Sequence, residues 1–215
     1  MNIFYLHSSP AQAAQWFVNK HKVKMIVETA QMLSTAHRVH DGVVKGKERV
    51  LPGEESGQQH CYRVAHLHHP STAWTVLNRS NYEWHFQLFS EMLAEYTRHY
   101  KRKHSSENLF SFLSKAPANM PSGEFSPPPL AMPVHYKVST DPVDCYRRFY
   151  AGDKWRFAKW KNDNMPPWFL DKMTEVWYDE GLQGRLEALR QALTKKTPPM
   201  DERVLAHARE LSQAL

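Results

Sequence analysis

Between Ser9 and Arg38 the chain is apolar at almost every helical phase but one. Val18, Met25 and Met32 recur on one side, Ile26 and Leu33 lie beside them, and Val23, Val27 and Ala30 lie beyond. His21, Lys24, Glu28, Gln31 and Thr35 fall within about 80° of arc, starting just above Phe17. The spacing predicts one long helix, capped by Ser9 with Pro10 in its first position and stopped at Asp41-Gly42. Lys22 and Thr29 are the polar interruptions. Such a helix is expected to run through the core. Charge at core depth is costly unless it is paired or lines a cavity, so the stripe admits two readings. Either His21, Lys24 and Glu28 look into a cleft, or Lys24 and Glu28, four residues apart, form a buried pair that holds neighbouring helices in register.

The remaining pattern is also mostly helical. Residues 42–60 are rich in Gly, Lys and Glu and read as an exposed loop or hairpin. A helical block starts after His69-Pro70, carries Trp74, Val76 and Leu77, pauses near Asn78–Asn81 and continues from Tyr82 to about Lys103. Phe86, Leu88, Phe89, Met92, Leu93, Tyr96 and Tyr100 form its apolar face. Residues 105–115 read as a short amphipathic helix around Phe110 and Leu113. Ala116–Pro133 carries six prolines and is expected to wrap the core in extended form. Asp141-Pro142 starts a helix over Val143–Tyr150, which Ala151-Gly152 is expected to break. After Pro166-Pro167 come two polar helical stretches, 169–195 and 200–215, hinged at Thr197-Pro198-Pro199. Leu182, Leu186, Leu189 and Leu193 recur there at helical spacing, as packing against the body or against a second copy requires. The expectation is a mostly α protein: a single helical domain, residues 1–161, around a buried central N-terminal helix, with a helical C-terminal extension over residues 162–215. That extension should add stability or a partner surface without making the site.

Charge changes the picture of what the body meets. Residues 1–161 hold 21 Lys and Arg against 13 Asp and Glu, a balance of +8, whereas residues 162–215 hold 7 against 9. With a pI near 9.3, the body is expected to face a polyanion, most simply nucleic acid. No apolar run reaches the length of a membrane span, and Met-Asn-Ile-Phe-Tyr-Leu lacks the charged start of a signal peptide. Two cysteines, Cys61 and Cys145, make no disulfide framework, and a reducing cytoplasm is the expected setting. Thirteen histidines invite a metal, above all His60, His66, His68 and His69, but their spacing matches no zinc pattern. No phosphate-cradling glycine loop, Gly-x-Ser-x-Gly or dinucleotide fingerprint is present, so neither metal nor cofactor is expected.

From Tyr146 to Trp160, six aromatic residues interleave with Arg147, Arg148, Lys154, Arg156 and Lys159. Rings for stacking beside cations for phosphates suit nucleic acid, while an amphipathic helix with its rings packed inward gives the same pattern. The cationic end of the middle helix, with Arg98, Lys101 and Arg102, serves either the helix dipole or a phosphate. Lys20, His37, Arg38 and His69 join these as candidate nucleic-acid contacts, His69 equally as a helix cap.

Three landmarks then line up: an apolar arm leading into a polar-striped helix, a long middle helix with a basic end, and a closing aromatic–basic run. This layout resembles the phage pyrimidine-dimer DNA glycosylases (the T4 endonuclease V-like family), small all-α proteins that flip out a nucleotide. The chain also resembles a broad set of phage proteins over roughly residues 1–161. The shared landmarks are the opening Met-Asn-Ile-Phe-Tyr-Leu, Asn19-Lys20-His21-x-x-Lys24-Met25-Ile26-x-Glu28-x-x-Gln31, His37-Arg38, His69-Pro70, Pro127-Pro128 and Tyr146-Arg147. The glycosylase resemblance implies attack on the sugar C1′ by an α-amine exposed after Met removal, aided by a glutamate in the first helix. Here Asn2, too large for efficient Met removal, follows Met1, and the position matching that glutamate falls near Val23, with Glu28 more than a turn further on. The expected function is a DNA-acting enzyme working on a base or its glycosidic bond. Glu28 would be the acid/base or the stabiliser of an oxocarbenium-like sugar, Lys24 an electrostatic clamp and His21 a proton shuttle or phosphate ligand. A non-catalytic DNA-binding protein and an enzyme of phage base hypermodification are the alternatives.

Overall fold

The computed structural model describes residues 1–54, 58–161, 164–179, 183–194 and 200–213, the side chains of 183–186 excepted. It is mostly α-helical, and among the described residues the only sheet is one two-stranded hairpin. The helices are α1 (Pro10–Trp16), α2 (Asn19–His40), α3 (Pro70–Leu77), α4 (Arg79–Tyr100), α5 (Phe110–Leu113), α6 (Pro142–Lys154), α7 (Phe169–Asp179), α8 (Gln183–Leu193) and α9 (Glu202–Gln213). The chain packs as two compact units. The first gathers Met1–Ile3, His7–Gln15 and Lys22–Ala131, and the second Phe4–Leu6, Trp16–His21 and Met132–Leu215.

The long N-terminal helix is broken at Phe17-Val18, where the apolar spacing runs on without a breaker. Three side-chain and backbone partners distant in sequence cause the break. The Val18 N–H donates to the Tyr150 hydroxyl at 2.9 Å, and the Asn19 N–H donates to the Lys159 carbonyl at 2.8 Å. The Asn19 Oδ1 accepts from the Lys161 N–H. Backbone groups that would have bonded one turn back are satisfied here by tertiary acceptors.

In the first unit α2 is buried as its composition predicts, with Met25, Ile26, Ala30, Met32, Leu33 and Ala36 in the core. Its charges are arranged differently from the expected stripe. Lys22 is only 1% exposed and pairs with Glu95 of α4 at 3.1 Å, whereas Val23 lies 39% exposed. In the first half of this helix the buried ion pair is therefore Lys22–Glu95 instead of Lys24–Glu28, and Arg98 completes it from the rim. Thr29 is also buried and faces His85, whose Nδ1 meets the Thr75 hydroxyl at 2.8 Å. Strands β1 (Val43–Lys45) and β2 (Glu48–Val50) form the hairpin expected in residues 42–60. His69 caps α3 and Asn78 caps α4 through side-chain acceptors. The proline-rich segment wraps in extended form. Its Ser126 carbonyl accepts from the Trp74 indole, and its Pro121 carbonyl from the Arg79 N–H, each at 2.9 Å.

In the second unit α6 runs unbroken through Ala151-Gly152 to Lys154. The glycine serves close packing instead of interruption: a Cβ on Gly152 would lie 2.5 Å from the Tyr136 ring and 2.8 Å from Val176. Residues 132–161, which the charge balance groups with the basic body, pack here against α7. Trp155 and Trp177 meet edge-on at 5.0 Å, Lys172 pairs with Asp144 at 2.8 Å, and Arg148 pairs with Glu175 and Asp179. The 169–195 stretch is two helices, α7 and α8. Leu189 is buried and Leu193 exposed, while the side chains of Leu182 and Leu186 and the Thr197-Pro198-Pro199 hinge lie outside the described residues.

Removing one partner of the Lys22–Glu95 pair should cost about 3–5 kcal/mol when the other is stranded in the core. Glu95→Leu, which leaves Lys22 alone, should therefore be more destabilising in urea melts than Lys22→Met, which leaves Glu95 with Arg98. The double variant should recover most of the loss.

Burial pushes His85 down to about 3 and His37 to about 4, so both are neutral in the fold. Their unfolded-state values near 6.5 are higher, so the unfolded chain takes up protons first as pH falls. Stability should be intact above pH 6.5 and decline from there towards pH 4, by up to about 1.4 kcal/mol per pH unit for each ring. His85→Gln should remove one proton from that slope in pH-resolved melts.

Candidate functional site

The first three residues are fastened to the polar side of α2. The Asn2 N–H donates to the Glu28 Oε2 at 3.1 Å, and the Met1 amine lies 3.8 Å from the same oxygen. The Asn2 side-chain amide donates to the Ala131 carbonyl at 2.9 Å. The Met1 side chain is only 3% exposed, and its sulfur accepts a weak bond from the Thr72 hydroxyl of α3. Met1 as a residue is nevertheless partly exposed, so its exposure lies on the backbone. The other Glu28 oxygen, Oε1, takes the Lys24 ammonium at 3.3 Å. Glu28 itself is 12% exposed and Lys24 69%, so this is a carboxylate at the mouth of a buried helix with one amine reaching it from each side.

His69 borders the same group. Its Nδ1 accepts the Ser71 N–H at 3.2 Å as the cap of α3, which leaves the proton of the neutral ring on Nε2. Burial lowers its pKa, the Met1 ammonium and His66 lower it further, and Glu28 opposes them. The turn that delivers it runs from His66, a non-glycine residue with φ of 48°, whose carbonyl accepts the His69 N–H.

His21 is not part of this group. It belongs to the second unit, 7% exposed, where its ring stacks on Phe4 at 4.5 Å and its Nδ1 shares a 2.8 Å hydrogen bond with the Tyr150 hydroxyl. Lys24 and Glu28 do pair, but with Lys24 in solvent, so they are not a buried register device.

The candidate nucleic-acid contacts divide by what already holds them. Arg38 is 3% exposed and all its N–H groups point at protein acceptors: Glu54 takes two, and the carbonyls of Arg49, Cys61 and Tyr62 the rest. None remains for a phosphate. His37 is buried against Tyr82 and Phe112. In the aromatic–basic run, Tyr146, Phe149, Tyr150, Trp155 and Trp160 are buried, so base stacking on these rings is closed off. Arg147 lies between Trp16 and Trp168 and donates to the Leu6 carbonyl, Arg148 is paired with α7, and Lys154 sits 4.4 Å above Phe149 beside Asp153. Lys20 is exposed and lies 4.9 Å from the Phe157 ring. Lys101 and Arg102 are exposed just beyond the end of α4, and Arg98, 57% exposed, is paired with Glu95.

No spacing or local motif signals that the arm closes on Glu28, because Asn2 and Glu28 lie 26 positions apart. Among the described residues no helix is long and apolar enough to cross a membrane, and no three His, Cys, Asp or Glu side chains gather as a metal site. Both cysteines are free and buried. No protein-family model, curated protein or solved structure matches the chain.

Proposed function

We propose that the chain is a DNA-acting enzyme that works on a base or its N-glycosidic bond, with Glu28 at the reaction centre. The observation that carries this reading is the Met1 amine and the Glu28 carboxylate set 3.8 Å apart on the polar side of α2. The phage glycosylases that the layout resembles use this pairing of groups. Glu28 supplies the carboxylate in this chain, although Val23 stands nearer the position of the family's glutamate.

The two amines on Glu28 have different aptitudes. The Met1 nitrogen is the nucleophile, as the pairing in the resembled glycosylases implies, and the exposed Lys24 holds the carboxylate and attracts phosphate. In the proposed step the nitrogen bonds to C1′ as the C1′–base bond breaks, the base leaving with the electron pair and taking a proton from water, and opening of the sugar ring at its oxygen then gives an imine on the Met1 nitrogen. Glu28 takes the proton that the amine sheds and stabilises the positive charge developing on the sugar. The exposed Arg98, Lys101 and Arg102 favour a second reading, a protein that binds DNA without chemistry.

Mass spectrometry of bases released from undamaged, UV-irradiated and modified-base DNA tests the proposal. Glu28→Gln should reduce release by about 10²- to 10⁴-fold while melting stays cooperative, because it keeps volume and removes only charge. Borohydride should trap a covalent DNA adduct on the Met1 nitrogen. If no base is released or altered in any of the three DNAs, and binding is the same for Glu28→Gln, the enzymatic reading fails in favour of the binding one.

A further inference from the structure

We propose that the hairpin β1–β2 and the segment that follows it form a preformed clamp for the phosphate backbone of duplex DNA. The two line a cleft of about 540 Å³, with Lys47, Glu48 and Arg49 on the hairpin and Arg63 on the later segment. Arg38 and Glu54 also line it and neutralise one another at 2.9 Å. The charge left on the cleft is three cations against one acid. That acid, Glu48, is held only by a solvent-exposed pair with Arg63 at 2.9 Å, both partners more than half exposed. Such a pair contributes little and yields readily to a stronger anion.

A cationic hairpin of three-residue strands would ordinarily be floppy. This one is held rigidly from beneath by the buried Arg38–Glu54 pair. Arg38 donates to the Arg49 carbonyl on the hairpin and to the Cys61 and Tyr62 carbonyls on the later segment. Glu54 accepts the Leu51 N–H at 3.0 Å and the His60 N–H at 2.7 Å. One ion pair therefore fixes both walls. Gly46 (φ 63°) and Gly53 (φ 86°) supply the left-handed turns that this path needs. Val43 and Val44, 56% and 64% exposed, precede Lys45 on β1 and leave apolar surface on the same hairpin for contact with sugars. A two-stranded ribbon of this size fits a DNA groove, and walls fixed in advance lose little freedom on binding.

The clamp rests on the DNA reading, and the test separates the two. The full chain is titrated onto a short labelled duplex by fluorescence anisotropy over a series of salt concentrations. Lys47→Gln with Arg63→Gln should lower the magnitude of the log–log salt slope by about 2 and weaken binding at low salt by about tenfold. Both replaced side chains are exposed, and if the double variant melts early, Lys47→Gln alone should still lower the slope by about 1. A wild-type slope in these variants, with the loss appearing instead in Lys101→Gln and Arg102→Gln, overturns the clamp and leaves DNA binding intact. No binding of the wild-type chain to duplex overturns both.

Discussion

The first unit is organised by the cost of charge on a buried helix. From Lys22 onwards α2 carries three charged side chains at or near core depth, and each is tolerated only because a distant segment comes to meet it. Lys22 draws in α4 through Glu95. Glu28 draws in the first residues of the chain through the Asn2 amide and the Met1 amine. Arg38 draws in the hairpin and the residues after it through Glu54 and three carbonyls. Apolar contact alone lets a helix rotate or slide among similar neighbours. Three buried charges with single partners do not, since each misplacement strands an ion.

The three sites differ in what their burial leaves over. The Lys22–Glu95 pair is closed, its free valence limited to Arg98 at the rim, and its part is to hold two helices together. Arg38 is saturated, but the strands it fixes turn their own cations outward. Glu28 alone keeps an opening, with amines as its neighbours and a capped histidine alongside. Structural and chemical roles thus sit on one helix, separated by how completely each charge is satisfied.

The second unit uses aromatic packing where the first uses ion pairs. Trp155, Trp177, Tyr146 and Tyr150 are fully buried, and cations such as Arg147 and Lys154 lie over ring faces. Arginines and lysines placed this way cover apolar surface with their stems and gain from the ring quadrupole. An alternation of rings and cations therefore reads the same in sequence whether it stacks on bases or on itself. Here the rings face one another, and α7, from the acidic end of the chain, supplies the carboxylates that hold Arg148.

Periodicity and local chemistry were enough to determine the helical class, the helix starts at His69-Pro70 and Asp141-Pro142, the wrapped proline segment and the choice of Glu28 and Lys24 as neighbours. These are properties of short stretches, set by 3.6-residue spacing and by side chains reaching their own backbone. Tertiary structure decided which polar residue of α2 went inward, since Lys22 is buried only because Glu95 waits for it. It decided that the helix would break at Val18, where Tyr150 and Lys159 offer acceptors, and that Gly152 would pack a ring instead of ending a helix. It also decided that the chain's first amine would meet Glu28. Each of these depends on a partner well beyond one helical turn, from Tyr136 for Gly152 to Tyr150 for Val18, and a contact over that distance leaves no periodic trace in the sequence.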